Sequence, residues 1–226
     1  MFIFDSSYLL IIIAAMVLGG LTQAFINSSY RRFSRVPVAT GQTGAEVARE
    51  MLDGAGLHHV GIEMVPGRLT DHYDPRSKVL RLSRDVYMGR SVAAAGVASH
   101  EAGHAVQHAH AFAAASLRQA LVPTAQLGST VAPWLIFGGF FMRAGGLITI
   151  GVALFAAAVL FQLVTLPVEF DASRRAMASL ATGNRLPGEQ VSGARRVLTA
   201  AALTYVAAAL IAVMQLVYFL GLSRRS

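Results

Sequence analysis

Long apolar runs alternate with polar segments along this chain, and the runs predict its main elements. Four of them lack charged residues and cover residues 8–26, 121–141, 144–168 and 197–222. Each is longer than the about 18 residues that indicate a helix crossing about 30 Å of hydrocarbon. The run 121–141 contains Pro123 and Pro133 among several polar residues, so a buried or partly re-entrant helix is its alternative. The pattern predicts about four transmembrane helices.

The polar region 27–118 predicts a small α+β portion. Thr43 and Glu46 fit a capping box that begins a helix, and Gly54 follows as its stop. Apolar and polar residues alternate in two stretches, which predict short strands at residues 60–67 and 78–83. The connection between the strands is too long for a tight hairpin, although the two could still pair with each other.

From Val92 the chain becomes rich in alanine, which predicts a helix of about five to six turns. No proline and no run of β-branched residues interrupts it before Val122–Pro123. The stretch ASHEAGHAVQHAH, residues 98–110, lies in this helix and holds four of the seven histidines of the chain. The fold class is therefore a mainly α polytopic membrane protein with a histidine-bearing helix outside the membrane.

Composition supports the membrane class. Hydrophobic residues make up 54% of the chain, charged residues only 14%, and the mean hydropathy is +0.53. The net charge of +7 comes almost entirely from arginines, many of which flank apolar runs. Contact with membrane lipid explains them better than binding to nucleic acid. Because the chain has no cysteine, any metal must be held by histidine and carboxylate.

Basic residues also predict the orientation. No Lys or Arg precedes the first run, so we expect a retained anchor rather than a cleaved signal peptide. The segments after the first and third runs are expected in the cytoplasm because they carry Arg31, Arg32, Arg35, Arg174, Arg175, Arg185, Arg195 and Arg196. Arg224 and Arg225, which follow the last run, disagree with this orientation, because four crossings would place them outside. Residues 27–118 and 169–196 are thus expected at the cytoplasmic face of the membrane.

The sequence HEAGH places two histidines one helical turn apart. His100 and His104 therefore project from one face, where both imidazoles can reach one ion, and Zn²⁺ suits such ligands. Glu101 points about 100° away round the helix, where it can act as a base on a water molecule at the metal. The alternative is a helix face of hydrogen-bonded core histidines.

A catalytic zinc site needs a third protein ligand, and the histidines that follow are poor candidates. His110 has the right spacing from His100 for a third histidine ligand, but that pattern requires a glycine where Gln107 stands. His108 rises about 12 Å above His100 along the helix, too far to share one ion. It is better placed to contact substrate or to support the ligands.

Glu169 is the remaining candidate because it lies where the third apolar run ends. A charge at that position is also typical of a residue that only anchors a helix at the membrane interface. Asp171 points to the opposite face of the same helix and would make a poor second carboxylate ligand. The residues alone leave the choice between ligand and anchor open.

Three stretches, HEAGHAVQHAHAF, LTDHYDPRSKVLRLSRDVY and LPVEFDASRRA, resemble the bacterial neutral zinc metallopeptidases of the YugP type, which are described as membrane zinc proteases. The resemblance runs from about Ser34 to Leu222 with the motifs in the same order. A looser similarity links the chain to the HtpX and CAAX prenyl proteases, in which a Glu of an E-[FY]-x-A-D segment completes the zinc site. The resemblance implies that Glu169 is the third ligand. Ser173 stands where the looser group has Asp, so support of a ligand histidine must differ.

The resemblance implies one membrane metallopeptidase domain over residues 1–226, gluzincin-like, with Zn²⁺ as cofactor. We expect it to hydrolyse membrane-associated or membrane-proximal polypeptides, with water activated by Glu101. Candidates for a further hydrogen-bond donor to the substrate are His108, His72, Tyr73 and Tyr87. The alternative is a non-catalytic membrane scaffold or metal-handling protein with a structural zinc site. The sequence does not indicate an oligomeric state.

Overall fold

A computed structural model describes residues 5–182 and 186–224. The chain is mainly helical with one small sheet, as the apolar pattern predicts. The elements are α1 (Ser6–Phe33), α2 (Gly44–Gly54), β1 (Gly61–Val65), β2 (His72–Asp74), β3 (Val79–Ser83), α3 (Arg84–Tyr87), α4 (Val92–Ala109), α5 (Ala113–Phe141), α6 (Gly145–Ala181) and α7 (Gly188–Ser223). Arg185 and Arg225, which entered the orientation argument, lie outside the described residues.

Among the described residues, four helices are long and apolar enough to cross a membrane, namely α1, α5, α6 and α7. This confirms the four predicted segments. The mean hydropathy of α5 is 1.2, against 2.2 to 2.5 for the other three, so α5 remains the weakest span. Pro123 and Pro133 both lie inside α5, which continues through them.

The chain divides into two compact units. The first contains the described residues up to Gln23 together with Ser116–Pro167 and the residues from Leu203 onward. Its core is built from the large apolar side chains of Tyr8, Ile136, Ile148, Val152 and Phe219. The second contains Ala24–Ala115 and Val168–Ala202, and every predicted site residue belongs to it.

In the second unit, α2 and α4 pack together with the sheet around a core that includes Leu52, Leu80, Leu82, Val86 and Ala98. The predicted capping box begins α2: the Thr43 hydroxyl accepts from the Glu46 amide at 3.2 Å, and the Glu46 carboxylate accepts from the Thr43 amide at 2.7 Å. Gly54 is the last residue of α2. The capped amides explain why α2 begins at Gly44.

The two predicted strands are present, and they pair with each other in parallel, with Gly61 opposite Val79. A third strand, β2, was not predicted, and it pairs antiparallel with the other side of β3, with Tyr73 opposite Leu80. The sheet order is therefore β1-β3-β2, which leaves β2 at an edge. Three residues are too few to show a period of two, so alternation could not reveal β2.

Helix α4 has 18 residues, which confirms the predicted five to six turns. It does not run on to Val122–Pro123. The chain turns at Ala111, which has a φ of 48°, and the amide of Phe112 donates to the carbonyl of Gln107 at 3.0 Å. This is the hydrogen-bond pattern of a Schellman motif, usually built with glycine at the left-handed position. Helix α5 then begins at Ala113.

Candidate metal centre

The face of α4 that carries His100 and His104 packs against the end of α6. Alanines and glycines line the buried side of α4, so the two helices can approach closely. At Gly103 a β-carbon would lie 2.7 Å from the backbone carbonyl oxygen of Ala172. Glycine is therefore required between the two histidines for α6 to reach them.

This approach brings Glu169 to the histidines. Its Oε2 atom lies 3.2 Å from Nε2 of His100 and 3.8 Å from Nε2 of His104. One donor atom from each of the three residues lies within 4.8 Å of the others. The side chain of Glu169 is only 3% exposed, and those of the histidines are 13% and 15% exposed.

The donor set fits a zinc ion. Ligand bonds of about 2.0 to 2.2 Å in a tetrahedral site place neighbouring donor atoms about 3.4 Å apart, close to the two distances from Glu169. Two imidazoles and one carboxylate are also the ligand types of catalytic zinc sites. Three protein donors leave a fourth position for water or substrate. Residues 100, 104 and 169 could thus hold Zn²⁺ without a further protein ligand.

The outward-facing ring nitrogens of both histidines have partners. Nδ1 of His100 lies 3.1 Å from the hydroxyl oxygen of Ser173, and Nδ1 of His104 lies 3.0 Å from Oε1 of Gln107. Gln107 can only accept through that oxygen, so Nδ1 of His104 donates the hydrogen bond, and in the neutral imidazole the lone pair for a metal is then on Nε2. Such contacts orient ligand imidazoles and raise their basicity.

Gln107 continues this support into α6. Its amide nitrogen donates to the carbonyl of Val168 at 2.7 Å and to the Asp171 carboxylate at 2.9 Å. Burial alone would raise the pKa of Asp171, but its hydrogen bonds with Arg175, Gln107 and Arg174 outweigh burial and lower it. Asp171 is thus a buried anion two contacts from His104, and it lies outside the donor set.

Glu101 lies beside the donor set with an unusual proton affinity. Desolvation raises its pKa to about 7; His100 opposes this rise, whereas the charges of Glu169 and Asp71 add to it. The backbone amide of Tyr73, in edge strand β2, is close enough to the Glu101 carboxyl to oppose the rise in its pKa. A carboxylate with a pKa near neutrality suits transfer of a proton in both directions.

The other candidates lie around this centre or away from it. His108 is exposed, with its ring 6.0 Å from the ring of Tyr73. Nδ1 of His72 lies 2.8 Å from the carbonyl oxygen of Thr70, on the exposed side of β2. Tyr87 packs against the hydrophobic core. His110 is the residue that follows α4, and its Nδ1 atom lies 3.4 Å from a guanidinium nitrogen of Arg175. It is not a member of the donor set.

Comparison with known proteins identifies a family for this arrangement. The family described as "Putative neutral zinc metallopeptidase" matches residues 8–224. The chain belongs to this family. It is 46% identical over 212 residues to "Putative membrane protease YugP" of Bacillus subtilis, a match that covers 94% of each chain. No solved structure matches the chain. The family resemblance inferred from the three sequence stretches is thereby confirmed.

Three residues of this metallopeptidase homologue escaped the sequence argument. Gln107 was noted only as a departure from a glycine pattern, although its place three residues after His104 puts it on the same helix face. The sequence does not indicate the role of Gly103, because the need for glycine there depends on the backbone of α6 that packs against it. Asp71 accepts from the amide and hydroxyl of Ser83 at 2.7 and 3.0 Å, which a sequence does not show.

Proposed function

We propose that this chain is a membrane-embedded zinc-dependent endopeptidase, with His100, His104 and Glu169 as metal ligands and Glu101 as the catalytic base. One observation carries the proposal: three donor atoms of the types that bind catalytic zinc converge beside a carboxyl with a pKa of about 7. Membership of a zinc metallopeptidase family supports it. A structural zinc site would have no need of Glu101.

Each residue has a separate part in peptide hydrolysis. Zn²⁺ bound here would act as a Lewis acid that acidifies water and polarises a peptide carbonyl. Glu101 accepts a proton from the water as its oxygen bonds to the carbonyl carbon. Glu101 then delivers that proton to the amide nitrogen as the carbon–nitrogen bond breaks, so it returns to its starting state. Ser173 and Gln107 hold the two imidazoles in place.

Edge strand β2 supports a way to recognise an extended polypeptide. Among the described residues it is bonded to β3 on one side only, and the backbone amide of Tyr73 at its centre is close enough to Glu101 to lower the pKa of that carboxyl. A substrate strand that paired with this edge would pass the donor set and be held mainly through main-chain hydrogen bonds. Exposed His108, beside Tyr73, is placed to donate a hydrogen bond to the substrate.

Chain topology supports substrates at the membrane. Helix α4 precedes the second apolar span, and Glu169 follows the third, so two crossings separate them and return the chain to the same side. The arginines at and just beyond the end of α1 and those in the last part of α6 favour the cytoplasmic side. We therefore propose membrane-associated or membrane-proximal polypeptides as substrates, cleaved at the cytoplasmic face of a bacterial inner membrane.

The test compares zinc content with proteolysis in detergent-purified full-length protein. Wild type, Glu101→Gln, Glu169→Ala and His110→Ala are analysed for zinc per chain and for cleavage of casein. We expect about one zinc in wild type, Glu101→Gln and His110→Ala, and much less in Glu169→Ala. Wild type and His110→Ala should cleave casein, and the other two should not.

Two results would contradict the proposal in different ways. Full zinc content in Glu169→Ala, together with loss of zinc in His110→Ala, would assign the third ligand to His110 instead of Glu169. Stoichiometric zinc in wild type and Glu101→Gln, without proteolysis of casein or of membrane-anchored peptides by either, would favour a structural zinc site in a membrane scaffold.

A further inference from the structure

An open cavity of about 760 Å³ in the second unit has a strongly basic lining. It is formed by the end of α1, the loop after β1, the short helix α3 and the segment that precedes α4. Its charged lining residues are Arg31, Arg35, Arg68, Arg84, Arg90 and Asp85. Five positive charges thus face one negative charge, in a volume typical of small-molecule sites.

The protein itself does little to neutralise this lining. Nε of Arg68 lies 3.8 Å from the Asp85 carboxylate, and a guanidinium nitrogen of Arg90 lies 3.8 Å from Glu46. All four of these side chains are more than half exposed, so the contacts contribute little. The remaining three arginines form no ion pair within 4.0 Å with any carboxylate in the described part of the chain. Arg90 also donates to the carbonyl of Gly41, but most guanidinium groups of the lining are not committed to a carboxylate and could bind an anion.

One cavity residue, Arg31, lies close to the expected depth of lipid phosphates if α1 crosses the bilayer. Arg31 follows the end of the first apolar run at Ile26 by five residues of the same helix, which is about 7 to 8 Å along the axis. The polar head-group layer on each side of a bilayer is about 5 to 8 Å thick. Arg35 comes just after the last residue of α1, Phe33.

We propose that this cavity binds the phosphate-bearing head group of an anionic phospholipid. Arginine is suited to this because its planar fork bonds two phosphate oxygens at once. Arg68 and Arg84 come from segments more than thirty residues beyond the apolar run, yet they face the same cavity as Arg31. A positive-inside signal needs arginines next to the span but does not need distant arginines brought to one cavity. The site is separate from the metal centre in residues and in chemistry.

The test measures lipid retention by the full-length protein. Wild type is delipidated in detergent and titrated with phosphatidylglycerol, phosphatidylcholine, diacylglycerol or inorganic phosphate, and bound lipid is followed by native mass spectrometry. The variant is Arg35→Gln/Arg84→Gln. The control is Arg32→Gln, because Arg32 is exposed on the same helix end but does not line the cavity. Zinc content and thermal unfolding report whether each variant is folded.

We expect wild type to retain one phosphatidylglycerol, to bind phosphatidylcholine more weakly and to bind diacylglycerol least. The double variant should lose about tenfold or more in phosphatidylglycerol affinity, and Arg32→Gln less than about twofold. Equal losses of phosphatidylglycerol affinity in the double variant and in Arg32→Gln would overturn the proposal, because they would mean that lipid is attracted by the overall positive surface charge and not by this cavity. Binding of inorganic phosphate as tight as that of phosphatidylglycerol would overturn the lipid as the ligand.

Discussion

Gln107 links His104 to Asp171: its amide oxygen lies 3.0 Å from Nδ1 of His104, and its amide nitrogen lies 2.9 Å from the Asp171 carboxylate. The amide thus has one end on α4 and the other on α6, and it is almost fully buried. A buried amide with both ends bonded has one orientation, which fixes the imidazole it contacts. The position of the second histidine therefore depends on two residues that lie outside the donor set.

Replacement of Gln107 should weaken the metal site without removing a ligand. In Gln107→Ala the His104 ring loses its acceptor and Asp171 loses a donor, so we expect zinc affinity to fall about tenfold or more. Competition with a chelating indicator measures it. Gln42→Ala, which removes an exposed glutamine paired with Glu50, is the control and should keep wild-type affinity. Equal affinity in Gln107→Ala and wild type would show that the amide does not support the ligand.

Ser173 offers a test that can improve the site. In Ser173→Ala the Nδ1 atom of His100 loses its contact with the Ser173 hydroxyl, and zinc affinity should fall by about tenfold. In Ser173→Asp a carboxylate takes the same place, and its charge should raise the basicity of His100 and the affinity above wild type. Zinc dissociation rates in the presence of excess chelator should follow the order Ala, Ser, Asp from fast to slow. If Ser173→Asp instead released zinc faster than wild type, the free-energy cost of burying the added carboxylate would exceed the stabilisation that it gives to the site.

Gly103→Ala should separate the two helices of the metal site. The new methyl group would lie 2.7 Å from a backbone oxygen of α6, which cannot move without shifting Glu169 and Ser173. We expect destabilisation of about 1 to 3 kcal/mol and loss of zinc. Gly54→Ala is the matched control, since no neighbouring atom lies within 4 Å of the position that its β-carbon would take. This variant should keep wild-type stability and zinc content. Thermal unfolding and metal content measure these effects.

The pKa of Glu101 predicts how stability depends on pH in zinc-free protein. Its folded-state pKa, about 7, lies above the ordinary value of 4.5, so the folded state holds this proton more tightly than the unfolded state does. Stability of wild type should therefore fall as pH rises from about 4.5 to 7 and then level off. Glu101→Gln should lack this part of the dependence. Thermal unfolding of chelator-treated wild type and variant across that range checks it, and parallel curves would contradict the raised pKa.

The sequence predicted the spans and the two histidine donors because both depend on local patterns. Four uncharged runs predicted α1, α5, α6 and α7, and a one-turn spacing placed His100 and His104 on one face. Glu169 was reached only with the help of a family resemblance, since a charge at the end of a span has two explanations. The distances now place it at the two histidines, although zinc binding itself stays a prediction.

Contacts between distant segments were beyond the sequence. Strand β2 has three residues and exists only because it pairs with β3. The turn at Ala111 puts a residue with a β-carbon where glycine is usual, so no residue type marked the end of α4. Gln107 and Gly103 have roles that are visible only beside α6. Local propensity cannot report such contacts, because a partner far along the chain decides them.

Glu169 comes 65 residues after His104, beyond two apolar runs, and this spacing has a consequence for biosynthesis. A growing chain that has exposed HEAGH from the ribosome has only two of the three donors. The third becomes available after α5 and α6 have been made and Glu169 has been returned to the side of α4. If the proposed site is the active site, the protease cannot act on cytoplasmic proteins before it is inserted in its membrane.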